Sequence, residues 1–343
     1  MKPDEKRTRL VKSAGEFRRT VVDWFEMKGL DFPWRQTRDP YAVLVSEVML
    51  QQTRIATVLG KGYYTRFLES FPTAECLAVA ADAPLLKAWE GLGYYRRARM
   101  LRETARSAQT DHGGKFPTEI DALMSLPGIG RYTAGALRAF AFGLPAVLVD
   151  GNVSRLLARL TADRTPVDSS TGIRRMWELA GALADDANPR AYHSGLMELG
   201  QRVCKPGTPD CGNCPVAAFC EADRPGELPV KSKQVAPTAV AEHALWERDP
   251  GGRVLMATQP SGRRAGLWRL PLRDPAEVSG LPQVEREIYA ITRYRVTLTV
   301  HGGNGGATPR LDERWVSAGD LADLAMAAPF RRVVERLLSG TNK

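Results

Sequence analysis

Four cysteines, Cys204, Cys211, Cys214 and Cys220, fall within seventeen residues and are separated by six, two and five others. Thiolates at this spacing can converge on a metal centre, and the intervening segment, with Pro206, Gly207, Pro209, Gly212 and Pro215, bends without opposing a helix or strand. Four soft ligands suit either a structural zinc or an iron–sulfur cluster, and the spacing by itself leaves both open. Disulfides are the weaker expectation. The first twenty residues are charged and lack the apolar core of a signal peptide, which predicts a reducing, cytosolic location. The fifth cysteine, Cys76, lies in a helical pattern and is expected as a packed thiol.

Two carboxylates are candidates for acid–base work. Glu47 shares a helical face with Val43, Leu44 and Leu50, on a helix expected to start with Asp39 as N-cap and Pro40 at its first position. A carboxyl among apolar neighbours resists ionisation, as a general acid must near neutral pH; a solvated helical glutamate is the plainer alternative. Asp150 follows the apolar run Ala146-Val147-Leu148-Val149 and opens Gly151-Asn152-Val153-Ser154-Arg155, a position that suits a helix N-cap.

A second motif is Leu126-Pro127-Gly128-Ile129-Gly130-Arg131-Tyr132-Thr133-Ala134-Gly135-Ala136. The Pro-Gly pair stops one helix, and Gly128 and Gly130 permit a tight hairpin whose amides open the next. Arg131 adds positive charge, and the small residues at 134–136 let two helices approach closely. The motif reads as a phosphate clamp that positions nucleic acid without reading its sequence; an ordinary helix–turn–helix is the alternative.

These residues must be positioned by a chain of 343 residues, enough for about two domains. Lysine and arginine outnumber aspartate and glutamate by 48 to 39, a surplus that favours a polyanionic partner. No apolar run approaches the roughly 20 residues of a membrane span. Apolar positions recur at helical spacing through 40–59, 74–89, 119–126, 131–142, 153–161 and 172–184. The run from Arg224 to Pro237, rich in proline and charge, predicts a linker over 225–236. Beyond it, alternation at 253–257 and 293–300, with glycine turns at 251–252 and 302–306, predicts strands, and a helix is expected at 329–339.

Taken together with Pro33-Trp34-Arg35, Ser46-Glu47-Val48-Met49-Leu50-Gln51-Gln52-Thr53, Gly91-Leu92-Gly93-Tyr94-Tyr95-Arg96-Arg97-Ala98-Arg99, Val149 to Arg155 and Leu196-Met197-Glu198-Leu199-Gly200, the hairpin and the four cysteines resemble the MutY family of adenine DNA glycosylases over about residues 30–220. The resemblance implies a mainly α helix–hairpin–helix glycosylase fold with a [4Fe–4S] cluster segment, its DNA cleft between two lobes: a six-helix lobe over about 36–141 and a cluster lobe over about 1–35 plus 142–224. The tail, 237–343, resembles the family's smaller α+β Nudix-like domain, notably at Gly266-Leu267-Trp268-Arg269-Leu270-Pro271, but lacks the acidic array of a working Nudix hydrolase.

The same resemblance assigns roles. Glu47 matches the acid that protonates adenine at N7 and Asp150 the carboxylate that supports the sugar cation, while Tyr132 and Asn152 orient them. Arg35 matches a contact in the adenine pocket, and Gln52 and Tyr94 match side chains that enter the base stack. Gly128, Gly130 and Arg131 belong to the phosphate clamp, and Cys204, Cys211, Cys214 and Cys220 to the cluster. The related endonuclease III pattern has lysine where Tyr132 stands, so a monofunctional enzyme that leaves an abasic site is expected. Its partner is double-stranded DNA carrying adenine opposite 8-oxoguanine or guanine, and the chain is expected to be a monomer in a bacterial-type cytoplasm, associated with the nucleoid.

Two departures stand out. His193-Ser194 precedes the Leu-Met-Glu-Leu-Gly run where the family has asparagine followed by glutamine or glutamate, and His193 reads as a packing residue. Ile291-Thr292-Arg293 replaces the family's Phe-Ser-His lesion-reading loop, retaining a hydroxyl at Thr292 and a donor at Arg293. The alternatives are a mismatch glycosylase of the same superfamily with another base specificity and a non-catalytic, cluster-bearing DNA-binding protein; the pairing of Glu47 with Asp150 argues against the second.

Overall fold

The computed structural model describes residues 3–232 and 236–340, so part of the expected linker, residues 233–235, lies outside the described residues. In chain order come α1 (Pro3–Lys12), α2 (Ala14–Lys28), a 3-10 turn (Pro33–Arg35), α3 (Pro40–Leu50), α4 (Ile55–Gly60), α5 (Tyr63–Ser70), α6 (Ala74–Ala78), α7 (Asp82–Ala88), α8 (Arg96–His112), α9 (Ile120–Ser125) and α10 (Arg131–Ala136). They are followed by α11 (Gly151–Leu160), α12 (Ser170–Ala182) and α13 (Pro189–Glu198). Both α10 and α13 run on as π-helical turns, at Leu137–Phe142 and Leu199–Val203.

The expected helix over 40–59 is two helices, because the chain turns at Gln51-Gln52-Thr53. The apolar periodicity missed α1, α2, α5, α8 and α13. Helix α8 shows why: its buried face is built mostly from alanines, Ala98, Leu101, Ala105 and Ala108, among arginines and polar residues, so few large apolar side chains mark that face. Cys76 lies on α6, as the pattern suggested, but is exposed rather than packed, because Ala74, Leu77 and Ala78 form that short helix's buried face.

The chain groups into two compact units, Met1–Glu47 with Ser107–Gln234, and Val48–Arg106 with Val235–Lys343. In the first, α1, α2, α11, α12 and α13 surround a core of Phe17, Val21, Leu156, Leu157, Leu179, Tyr192 and Leu196. The stretch after the cysteines stays bound to this unit: Val167 N–H donates to Val230 O at 3.0 Å and Arg159 Nε to Leu228 O at 3.0 Å.

The second unit joins α4 to α7 and the part of α8 up to Arg106 to the strand-rich tail. Its strands are β1 (Thr238–Trp246), β2 (Val254–Thr258), β3 (Trp268–Arg269), β4 (Gln283–Ile291), β5 (Tyr294–Gly302) and β6 (Glu313–Val316), and α14 (Ala328–Ser339) follows them. They form two three-stranded sheets, ordered β1-β5-β4 with β1 parallel to β5, and β3-β2-β6. Only β2 and β5 show in the alternation; β1 and β4 carry mixed burial patterns that hide the period. The tail is anchored to the helices of its unit by Tyr95 Oη, which donates to Met326 O at 2.8 Å, and by Arg331 Nε, 2.9 Å from Glu90 Oε1. No helix among the described residues is long and apolar enough to cross a membrane.

Candidate active site and cysteine-lined cavity

Helix α3 begins as its sequence requires. Asp39 Oδ1 accepts from Tyr41 N–H at 3.0 Å and Oδ2 from Ala42 N–H at 3.3 Å, with Pro40 at the first helical position. The helix is buried almost all round, so Glu47, two turns on, is only 6% exposed among Val43, Leu44 and Val48. Burial pushes its carboxyl up to about 7. A hydrogen bond from Tyr132 opposes that rise, Asp150 adds to it, and Arg35 opposes it more weakly.

Asp150 caps α11: Oδ1 accepts from Val153 N–H at 2.7 Å and Oδ2 from Asn152 Nδ2 at 2.8 Å. Burial raises its carboxyl even so. N-capping and proximity to Glu47 are therefore compatible in one side chain. Tyr132, on α10, is held neutral by burial and by the two carboxylates, and its hydroxyl lies 3.8 Å from Met197 Sδ.

Arg35 is not a free pocket wall. Its Nη1 donates to Glu198 Oε2 at 2.6 Å and to Leu30 O at 2.5 Å, and its guanidinium lies over the rings of Phe25 and Phe32 at 4.9 and 4.7 Å. The fully buried Glu198 also accepts from Leu30 N–H at 2.9 Å and from Arg202. It pairs with the Arg35 cation, whose lowering of Glu47 is the weakest of the influences on that carboxyl. Glu198 was visible only as part of a motif; its role depends on a partner 163 residues away.

Arg155 is a second residue that sequence reasoning passed over. It donates from Nη2 to Asn152 Oδ1 at 2.9 Å and to Gly200 O at 2.6 Å, and from Nε to Cys204 O at 2.8 Å. One guanidinium thus ties the Asp150–Asn152 turn to the first cysteine. Gly200 permits this approach, since a Cβ there would meet Asn152 Cβ at 2.6 Å. His193 is buried, with Nε2 2.9 Å from Ala146 O, and burial pushes its imidazole down to about 4, so it is a neutral packing group.

The hairpin between α9 and α10 needs only one of its two glycines for conformation. Gly128 has φ 80°, in the left-handed region, whereas Gly130 has φ −92° and ψ 176°, extended backbone open to any residue. A Cβ on Gly130 would meet nothing within 4 Å. Gly135 serves a close approach, but not the helix–helix contact expected: its missing Cβ makes room for Val147 O of the extended segment before Asp150, at 2.5 Å. Arg131 is exposed beside the turn, its guanidinium 3.9 Å from the centroid of the Trp177 ring.

In the second unit, Gln52 and Tyr94 are exposed and both take left-handed backbone, φ 59° and 47°. This conformation costs a non-glycine residue about 1–2 kcal/mol. Thr292, φ 52°, turns the chain from β4 into β5. Its hydroxyl accepts from Arg263 Nη1 at 2.7 Å, and Arg293 Nη2 donates to Tyr294 Oη at 3.1 Å, so both residues are engaged within their own unit.

All four clustered cysteines line one cavity of about 200 Å³, together with Leu156, Arg159, Val203 and Val216. Burial pushes the Cys214 thiol up to about 11, with the other three sulfurs adding to the rise. Arg159, itself buried, donates from Nη1 to Cys204 Sγ at 3.3 Å and to Lys205 O at 2.8 Å, which brings a cation against the thiols. Among the described residues, no three cysteine, histidine or acidic side chains are grouped closely enough to hold a single metal ion. Four thiols around one cavity, beside an arginine, form a soft donor set that fits a polynuclear iron–sulfur cluster or a zinc ion.

Residues 45–179 match the model of the HhH-GPD superfamily base excision DNA repair protein. An adenine DNA glycosylase of Rattus norvegicus is 43% identical over 215 residues, 60% of this chain and 41% of that protein. One of Arabidopsis thaliana is 36% identical over 300 residues, 75% of this chain and 47% of that protein. The chain thus spans less than half the length of these curated relatives. The solved structure of a thermostable thymine-DNA glycosylase superposes with a TM-score of 0.55 at 31% identity, covering 61% of this chain and 96% of that one. A solved glycosylase covered almost end to end and a superfamily match that spans both Glu47 and Asp150 converge on one conclusion: the chain belongs to the helix–hairpin–helix superfamily of base excision DNA repair proteins, and within it is similar in sequence to the adenine DNA glycosylases.

Proposed function

We propose that this protein is a monofunctional DNA glycosylase that hydrolyses the N-glycosidic bond of adenine mispaired with 8-oxoguanine or guanine. The carrying observation is Glu47, a buried carboxyl pushed up to about 7, hydrogen-bonded to Tyr132 and facing Asp150. Two carboxyl groups with different surroundings divide the labour, as in glycoside hydrolysis. Glu47 gives its proton to adenine N7, and the C1′–N9 bond breaks with its electron pair going to the base, which departs neutral. Asp150 supports the positive charge left on the sugar, held in place by Asn152 Nδ2 and Val153 N–H. Glu47, now a carboxylate, accepts a proton from the water that adds to C1′, which restores the acid and completes an abasic site. Tyr132 offers a phenol where an amine would be needed to form an imine with the sugar.

The DNA contacts follow from the same reading. Gly128, Gly130 and Arg131 hold a backbone phosphate, and Gln52 and Tyr94 enter the base stack, where they offset part of the few kcal/mol needed to turn a nucleotide out. In this reading the tail is a Nudix-like domain whose Thr292 and Arg293 address the base opposite the adenine, Thr292 releasing or sharing Arg263 and Arg293 releasing Tyr294. Cys204, Cys211, Cys214 and Cys220 would hold a [4Fe–4S] cluster, which would cross-link the loop rather than take a step in hydrolysis. The protein acts as a monomer in the cytoplasm.

A single-turnover panel on duplexes carrying each base opposite guanine and 8-oxoguanine tests the function. Free adenine is expected, with no strand cleavage and no borohydride-trapped complex; release of thymine or uracil instead would move the protein to another specificity, and a trapped imine would overturn the monofunctional assignment. Purified protein should contain about four iron and four sulfide per chain. One zinc without sulfide would remove the cluster.

A further inference from the structure

The last carbonyls of a helix lack intrahelical donors, and at the end of α3 one side chain supplies them. Arg97, near the start of α8, donates from Nη1 to Val48 O at 2.9 Å, to Met49 O at 3.0 Å and to Gln51 O. Its Nη2 donates to Leu92 O at 3.0 Å, Gly93 O at 3.3 Å and Thr53 Oγ1 at 3.4 Å. The guanidinium lies 5.5 Å from the ring centroids of both Trp89 and Tyr94, and Trp89 Nε1 donates to Gly93 O at 3.0 Å. A single cation therefore bridges two segments some forty residues apart in sequence, one on each side of Gln52 and one directly before Tyr94.

Gln52 and Tyr94 share an unusual property. Both hold left-handed backbone without being glycine, although a helix end or tight turn that needs this conformation ordinarily uses glycine, as the same loop does at Gly91 and Gly93. Tyr94 is 48% exposed, so its ring is not held out for packing. Strain of this kind persists only where neighbouring structure over-determines it, and the shared guanidinium is that structure.

We propose that Arg97 is a positioning residue that locks Gln52 and Tyr94 into one preformed wedge, so that both side chains meet DNA already oriented. This rests on the reading of those two residues as base-stack groups. The planar fork of arginine is essential, because its two terminal nitrogens serve the two segments at once; a lysine ammonium cannot span both sets of carbonyls.

Two measurements on Arg97→Lys, with Arg97→Met as a second variant, decide the matter. Amide hydrogen exchange on the free protein should rise together at residues 51–54 and 91–95 while α11 keeps its protection; loosening of one segment alone, or of neither, overturns the proposal. Single-turnover excision should fall about 100-fold on a mispaired adenine, but only a few-fold on an adenine opposite an abasic-site analogue, where less stacking and pairing must be undone. Equal slowing on both duplexes overturns it, since a general loss of structure or of chemistry would not distinguish them. If the unaltered protein excises adenine from neither duplex, the glycosylase reading fails, and the exchange measurement still decides whether Arg97 couples the two loops.

Discussion

Replacing Glu47 by glutamine is expected to lower single-turnover excision about 1,000-fold or more while duplex affinity stays within a few-fold, because the amide keeps the shape but has no proton to give. The variant should also lose a pH limb. In the intact protein, burial pushes Glu47 up to about 7, so the acid form predominates below that pH and is depleted above it. The excision rate should therefore fall about tenfold per pH unit above the limb. Asp150 must be ionised to support the sugar cation, and burial raises its carboxyl too, so a second, acidic limb should lie above the usual aspartate range. The rate profile is then bell-shaped, and the Glu47→Gln residual rate should lack the basic limb. Unchanged excision by this variant, or a basic limb that survives in it, would falsify the assignment of Glu47 as the acid.

Replacing Asp150 by asparagine should slow the chemical step about 100- to 1,000-fold, because the charge facing the developing cation is gone while the side chain still fits. The structural role gives this prediction an internal control. Asp150 Oδ1 caps α11 through Val153 N–H, and asparagine caps nearly as well, so the melting temperature should barely move. Asp150→Ala removes both functions and should cost about 1 kcal/mol of stability besides the rate. If Asp150→Asn keeps the rate and only Asp150→Ala is impaired, the residue is a helix cap and the sugar cation is supported elsewhere.

Much of the chemistry was legible locally. The cysteine spacing, the Asp39-Pro40 helix start, the Pro-Gly hairpin and the Asp150 cap are written in short runs, because bends, caps and loops depend on residues within a few positions of one another. The family resemblance rests on the same short runs. Amphipathic periodicity, by contrast, failed where alanines made a helix face, as in α8, and where strands buried no regular face, as in β1 and β4.

What tertiary structure alone decided is the state of the groups. That Glu47 is a buried acid near 7 rather than a solvated glutamate depends first on its burial and then on Asp150, which together outweigh the opposing Tyr132 and Arg35. The hydroxyl of Thr292 occupied by Arg263 likewise depends on a neighbour distant along the chain. So does Arg97, one of many arginines in the sequence until α3 and the loop before Tyr94 surround it. Residue types and spacing determine which reactions a chain has groups for; desolvation and through-space charge, which fix a proton's affinity and a side chain's orientation, exist only once distant segments have packed together.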